Sequence, residues 1–521
     1  MNDGKQRIVI LLVILGGGAA GWWLTRSTHD SSAAPVVATP VPRAYVPIDT
    51  PPKSSKTTER PSGLVKDREA ADTGALQNQR SLRFSDRAAM ERFLEAAKGK
   101  GIAILGKIDR LNALHVGFLS AEDLASLLDG SEESGFIYPV TLPTPKTDGV
   151  QDGALGFGTS LLAWLGISGD NSAFGAGVKI GVLDTGSALA GVQNYYLVDP
   201  PADATALNGH GTAVSDLIKQ IAPAADLKSW RIANDAGQSN SFLLAQGILA
   251  AVDAGMDIIN ISMASYGNSA LLHDAVKVAQ AAGIKIYASG GNEGYDQLAY
   301  PAAYEGVVGV GSVDAHGNYL NFSNTGNVTM TAPGLDLVTA WTGGQSVYFT
   351  GTSASSPIGV GVLAAAMSNS GKRISISNAY EKVIGNLNEA GAPGDDNFYG
   401  GGTVDFGRIF RSGTTGISDA AIASNYVTST TTGQNQLQVT VENRGTAVIY
   451  NAPLQVTTSA GTSTMTITSL KPGEITTYTL PFNIPENGTT VQSQITLSSG
   501  TSDLKPSNNR RTDAYAAPPP N

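Results

Sequence analysis

Apolar positions follow different rhythms in successive parts of this chain. Between about residues 150 and 411, short uninterrupted apolar runs alternate with segments of helical spacing. Val178–Leu183, Leu227–Ile232, Ile258–Ile261, Ile284–Ala288 and Val307–Val310 read as strands covered on both faces, because no polar position alternates within them. Ala213–Ile221, Ser241–Ala254, Ala270–Ala282 and Ser355–Met367 read as the helices between them. Such alternation predicts a parallel sheet with helices on both sides, with reactive residues at the carboxyl ends of its strands.

A shorter pattern precedes this region. Ser81–Phe84, Ile102–Lys107, Ala113–Phe118 and Phe136–Val140 have strand character. Asp86–Lys98 carries Met90, Phe93, Leu94 and Ala97 at helical spacing, and Ser120 caps a second helix bearing Leu124, Leu127 and Leu128. The order is βαββαβ, a small α+β unit expected over residues 75–148. Beyond residue 416 the composition turns to Thr, Ser, Val and Asn. Leu437, Val439 and Val441 alternate with polar residues, and Asn443-Arg444-Gly445 and Lys471-Pro472-Gly473 mark turns. This predicts an all-β sandwich over residues 417–515, after the α/β domain at 149–412.

The first 74 residues differ again. Lys5 and Arg7 precede an uncharged stretch from Ile8 to Leu24, which ends near Arg26 with Trp22 and Trp23 at its far side. Residues 1–26 therefore read as an export signal or membrane anchor, both readings remaining open. Residues 27–74, with Pro35, Pro40, Pro42, Pro47, Pro51, Pro52 and Pro61, read as an extended stalk. An exported location, periplasmic or extracellular, follows. Formal net charge is −10 and the basic residues are scattered, which argues against nucleic acid as a partner. Absence of cysteine removes disulfides, thiol nucleophiles and thiolate metal sites.

Three segments carry candidate chemistry. A buried strand ends in Asp184-Thr185-Gly186, a glycine-flanked His210 opens a helix, and Ser353 sits in Gly351-Thr352-Ser353-Ala354-Ser355 before another helix. A serine hydroxyl needs an adjacent base, which His210 would supply. Asp184 would orient the imidazole and stabilise the imidazolium. Each segment alone also fits a plain turn or helix cap; their combination, in the order Asp, His, Ser, does not.

At these residues the chain resembles the subtilisin-like serine peptidases. The resemblance extends over about Gly177–Ile409 and includes Ile258-Ile259-Asn260-Ile261-Ser262, Gly290-Gly291-Asn292-Glu293-Gly294 and Ala332-Pro333-Gly334. It implies a serine endopeptidase acting on polypeptides through an acyl-enzyme, with Asp184, His210 and Ser353 as triad and Asn292 as oxyanion donor. An extended substrate would pair with Ser262, Met263 and Ala264 on one side and Gly237, Gln238 and Ser239 on the other. Gly290, Gly291 and Glu293 would wall the primary pocket, with Glu293 either selecting a basic residue or solvated at the rim.

No cofactor is expected, and in one place the chain departs from the family in a way that leaves no metal site indicated. Helix 213–221 runs straight through Ala222-Pro223 toward the next strand, where well-known relatives carry a calcium-holding loop. The α+β unit resembles the family's inhibitory propeptide, its last segment, Phe136 to about Pro145, entering the cleft. A permanent accessory domain is the alternative. The membrane would then be a partner only until a cut within about Thr144–Gly156 freed the enzyme. The sandwich resembles immunoglobulin-like adhesion domains, either attaching the enzyme or stabilising it.

Overall fold

The computed structural model describes residues 65–143, 145, 150–203, 206–368, 373–429 and 434–516. The predicted signal or anchor and residues 27–64 of the predicted stalk lie outside these residues. Among the described residues no helix is long and apolar enough to cross a membrane.

The N-terminal unit contains helix α1 (Arg68–Asp72), β1 (Gln79–Phe84), α2 (Arg87–Ala96), β2 (Ile102–Ile108), β3 (Ala113–Phe118), α3 (Ala121–Ala125) and β4 (Glu132–Phe136). Its antiparallel sheet runs β2-β3-β1-β4. The predicted caps form: the Asp86 side chain accepts from the Ala89 N–H and Ser120 from the Asp123 N–H. Leu82, Met90, Phe93, Leu114 and Val116 make the core. Helix α1 lies ahead of the expected unit, inside residues 65–74 that the sequence pattern assigns to the extended stalk, and is folded there because a buried ion pair between Asp67 and Arg80 at 2.6 Å holds it.

One predicted strand divides in two. The sequence pattern makes Phe136–Val140 a single strand closing this sheet. Instead β4 stops at Phe136, and a separate β5 (Pro139–Thr141) leaves the sheet and pairs with the next domain. Proline at residue 139 has no N–H for a sheet ladder, which suits the head of a new strand.

Next come α4 (Leu161–Trp164), β6 (Lys179–Asp184), β7 (Gln193–Tyr196), α5 (His210–Ile221), β8 (Asp226–Arg231), β9 (Gln238–Asn240), α6 (Ser241–Asp253), β10 (Ile258–Ile261), α7 (Ala270–Ala281), β11 (Lys285–Ser289), β12 (Val308–Val313) and β13 (Met330–Pro333). A hairpin of β14 (Leu337–Ala340) and β15 (Ser346–Phe349) leads into α8 (Thr352–Ser368), followed by α9 (Ile376–Ile384) and α10 (Phe406–Arg411). The main sheet has order β13-β12-β11-β10-β6-β8-β7, and every pairing is parallel. One face packs on α5 and α8 through Ile180, Val182, Val214, Leu217, Ile358 and Val362, all fully buried. The other face packs on α6 and α7 through Leu183, Ile259, Ile261, Leu244, Ile248, Leu272 and Val276. Strand β6 lies between β8 and β10, so the chain reverses direction across the sheet there, and the crevice opens at that point.

The N-terminal unit lies on α6 and α7. Arg110 pairs with Asp253 and Arg83 with Asp274, both at 2.7 Å. His115 on β3 faces the Phe242 ring at 5.2 Å. The backbone of Tyr138 exchanges bonds with Ser241: its N–H reaches the Ser241 hydroxyl at 3.1 Å and its carbonyl accepts the Ser241 N–H at 2.9 Å.

The C-terminal sandwich comprises β16 (Ala420–Ser429), β17 (Asn435–Asn443), β18 (Ile449–Thr458), β19 (Gly461–Leu470), β20 (Ile475–Pro481), β21 (Thr489–Ile495) and β22 (Arg510–Tyr515). They form two antiparallel sheets, β16-β17-β20 and β19-β18-β21-β22, closed over Leu437, Val439, Leu454, Val456 and Val491. Its joint with the α/β domain is charged and buried. Glu442 of β17 takes Arg408 of α10, Arg444 at 2.8 Å, and the Glu389 N–H at 3.0 Å. Burial raises the Glu389 carboxyl to about 8, with nearby Glu442 and Asp396 adding to the shift.

Candidate active site

Asp184 ends β6, and its side chain is fully buried. His210 opens α5, with its Nδ1 2.9 and 3.0 Å from the two Asp184 carboxylate oxygens. A carboxylate only accepts, so Nδ1 carries the proton and Nε2 presents its lone pair. Thr185 braces the pair. Its N–H donates to Asp184 Oδ1 at 2.7 Å, and its hydroxyl accepts from the Gly211 N–H at 3.1 Å while donating to the Asn208 carbonyl at 2.9 Å. A Cβ at position 211 would lie 2.3 Å from the Gly186 carbonyl oxygen, which is why glycine follows the histidine. A Cβ at 209 would overlap the Trp341 ring at 2.2 Å.

Ser353 is the second residue of α8, after Gly351 at φ +132°, a conformation that favours glycine. Pro357 lies one turn further on and has no N–H, so the helix leaves the Ser353 carbonyl unclaimed. Ser262 fills that gap: its hydroxyl donates to the Ser353 carbonyl at 3.1 Å. The Ser353 hydroxyl in turn points to the Ser262 carbonyl at 3.3 Å. His210 Nε2 is buried without a hydrogen-bond partner.

Asn292 is fully buried, and its orientation is set by Thr352, whose N–H and hydroxyl donate to Oδ1 at 2.9 and 2.8 Å. The amide nitrogen is thereby aimed at the Pro143 carbonyl, to which it donates at 2.8 Å. The N-terminal unit's last segment thus lies in the crevice. Thr141 and Ala264 exchange both backbone bonds at 2.9 Å, and the Leu142 N–H reaches the Gly237 carbonyl at 3.2 Å. Val140 pairs with Ser239 and Thr141 with Gln238. Ala264 meets this segment through its backbone and Ser262 meets Ser353, whereas the Met263 side chain is buried in the core behind.

Gly290 is packed against Leu298 and the Val310 carbonyl. Gly291 lies beside Asn324 and Tyr266. Glu293 is half-buried rather than free in solvent; it accepts from the Asn292 N–H at 2.8 Å and from the Tyr266 hydroxyl. The structure thus brings Asp184 to His210, Asn292 to the Pro143 carbonyl and Ser353 to Ser262, and lays Ala264, Gly237, Gln238 and Ser239 along the docked segment, whereas Met263 turns into the core. Thr185, Thr352, Trp341 and Tyr266 are not among those candidates. Thr185 and Thr352 adjoin candidate residues in sequence, a signal that could have found them. Trp341 and Tyr266 have no such signal.

A sequence profile of the Subtilase family matches residues 175–402. A thermostable alkaline protease of Halalkalibacterium halodurans is 33% identical over 252 residues, covering 45% of this chain and 68% of the relative. Subtilisin Savinase of Lederbergia lenta is 30% identical, covering 44% and 89%. An intracellular serine protease of Paenibacillus polymyxa is 34% identical, covering 37% and 68%. With the parallel sheet already described, these similarities agree on one conclusion: the chain belongs to the subtilase family and is a serine endopeptidase of the subtilisin-like type.

Proposed function

We propose that Ser353 attacks the peptide carbonyl, with His210 as base and then acid, Asp184 as the group orienting it, and Asn292 as a donor to the developing oxyanion. The observation that carries this reading is the Asn292 amide at 2.8 Å from a peptide carbonyl, beside a serine at a helix N-terminus and a histidine held by a buried aspartate. Attack forms the bond from Ser353 Oγ to the carbonyl carbon and passes the serine proton to Nε2. Collapse breaks the C–N bond, and the same proton leaves on the amine. Water then repeats the sequence and releases the acid.

The enzyme is made as a self-inhibited precursor. The docked Val140–Pro143 segment occupies the cleft that a substrate strand would take, and hydrolysis at the bond after Pro143, or further along within about Thr144–Gly156, releases the N-terminal unit. The basic-then-apolar start of the sequence supports export ahead of this maturation.

A fluorophosphonate probe should label the processed protein, and Ser353→Ala should abolish labelling. Labelling that survives in Ser353→Ala removes the assignment. His210→Ala should leave the precursor uncut in cells; normal processing of that variant excludes self-cleavage.

A further inference from the structure

A ring of side chains outside the catalytic set bridges the two walls of the cleft. Tyr266 follows the Ser262–Ala264 wall, and Glu293 follows Asn292 on the opposite wall. The Tyr266 hydroxyl donates to Glu293 Oε2, which also takes the Asn292 N–H at 2.8 Å. Asn324 Nδ2 donates to the Tyr266 oxygen at 2.7 Å, while Asn324 Oδ1 accepts the N–H groups of Glu293 and Tyr295 at 3.1 and 2.9 Å. The Tyr266 ring stands edge-on to Tyr295 at 5.2 Å.

This ring takes up room as well as charge. A Cβ built on Gly291 would lie 2.2 Å from Asn324 Nδ2 and 2.7 Å from the Tyr266 oxygen. Burial, and next the Glu293 carboxylate, push the Tyr266 hydroxyl far above the usual phenol range, so it remains a donor. The neighbouring Asn292 holds the carbonyl of Pro143, an uncharged and compact residue.

We propose that Tyr266 is a positioning residue for specificity: by holding Glu293 across the pocket mouth it withdraws that carboxylate from substrate, so that the site selects small uncharged side chains over lysine and arginine at the position Pro143 occupies. This rests on the assignment of Asn292 and Ser353 given above. The two bonds on Oε2 fix the direction of the carboxylate, and at a half-exposed site the ion pair that a basic side chain could gain with it is weak.

The test compares kcat/KM for fluorogenic peptides that differ only in alanine, leucine, lysine or arginine before the scissile bond. The processed wild-type enzyme should favour alanine over lysine. Tyr266→Phe keeps the ring and removes the donor, and should raise the lysine-to-alanine ratio roughly fivefold, the size of a partly screened ion pair. That gain should fall with added salt and vanish in the Tyr266→Phe, Glu293→Gln double variant. Glu293→Gln alone should leave the wild-type ratio unchanged. A wild-type preference for lysine, an unchanged ratio in Tyr266→Phe, or a lower ratio in Glu293→Gln overturns the proposal. Fluorophosphonate labelling separates the two readings: labelled enzyme with the wrong ratios defeats the specificity assignment alone, whereas loss of Ser353-dependent labelling defeats the catalytic assignment and this one with it.

Discussion

Pro143→Ala tests the geometry of the docked segment most directly. Thr141 and Ala264 form an antiparallel pair that exchanges both hydrogen bonds. Two residues along each strand, the same pattern sets the N–H of residue 143 against the Ser262 carbonyl. Proline has no N–H, and that carbonyl takes the Ser353 hydroxyl at 3.3 Å, while His210 Nε2 has no hydrogen-bond partner. Alanine would restore the ladder bond, worth about 1 kcal/mol net, and free the hydroxyl to turn toward His210. The bond after residue 143 should therefore be cut about fivefold faster or more in Pro143→Ala than in the wild type. Purified precursor would be followed over time by intact mass and N-terminal sequencing, with Ser353→Ala as the blank. Equal rates, or faster cutting of the wild type, would refute the claim that proline holds the nucleophile away from its base.

Three further outcomes follow from other contacts. Thr352→Val removes the hydroxyl that fixes Asn292 and receives the Gly291 N–H at 3.2 Å; kcat should fall about tenfold, checked on a peptide substrate beside the melting temperature. His115 is lowered by burial to about 4, with no charged group contributing. Its neutral form therefore stabilises the folded chain above about pH 6.5 and that contribution is lost as pH falls toward 4; melting of the Ser353→Ala precursor should show the loss, and His115→Leu should flatten it. Glu389 shifts the other way, to about 8, so the folded state binds the extra proton and stability declines as pH rises from about 4.5 to 8. Glu389→Gln should melt higher than wild type at pH 8 and show little difference at pH 4, with a gain of about 1–2 kcal/mol after allowance for partial exposure.

The buried strands were legible because a central parallel strand has no polar face: Ile258–Ile261 appears in the structure with the predicted bounds. The edge strand Gln193–Tyr196 was not, since half of its four residues are polar and none is buried. Met330–Pro333 is fully buried but four residues long and ends in proline, too little for a periodicity to register. At the site, a glycine-flanked His210, with Asp184 and Ser353 each two residues from a glycine, stood out as candidates by local chemistry. The bracing contacts did not, because Thr352 meets Asn292 across 60 positions and Tyr266 meets Asn324 across 58. The docking register of Pro143 depends on pairing across domains and was equally invisible. The division of Phe136–Val140 into two strands depends on which partner each half finds, a tertiary choice that local propensity does not encode.

The exchange between Ser262 and Ser353 has a mechanical consequence. Because Pro357 removes one rung of helix α8, the Ser353 peptide is fastened to Ser262, next to the residues that pair with the docked segment. On the catalytic assignment proposed above, a displacement of that wall would carry nucleophile and substrate together. The imperfect helix acts as a common mount for two parts that must stay aligned.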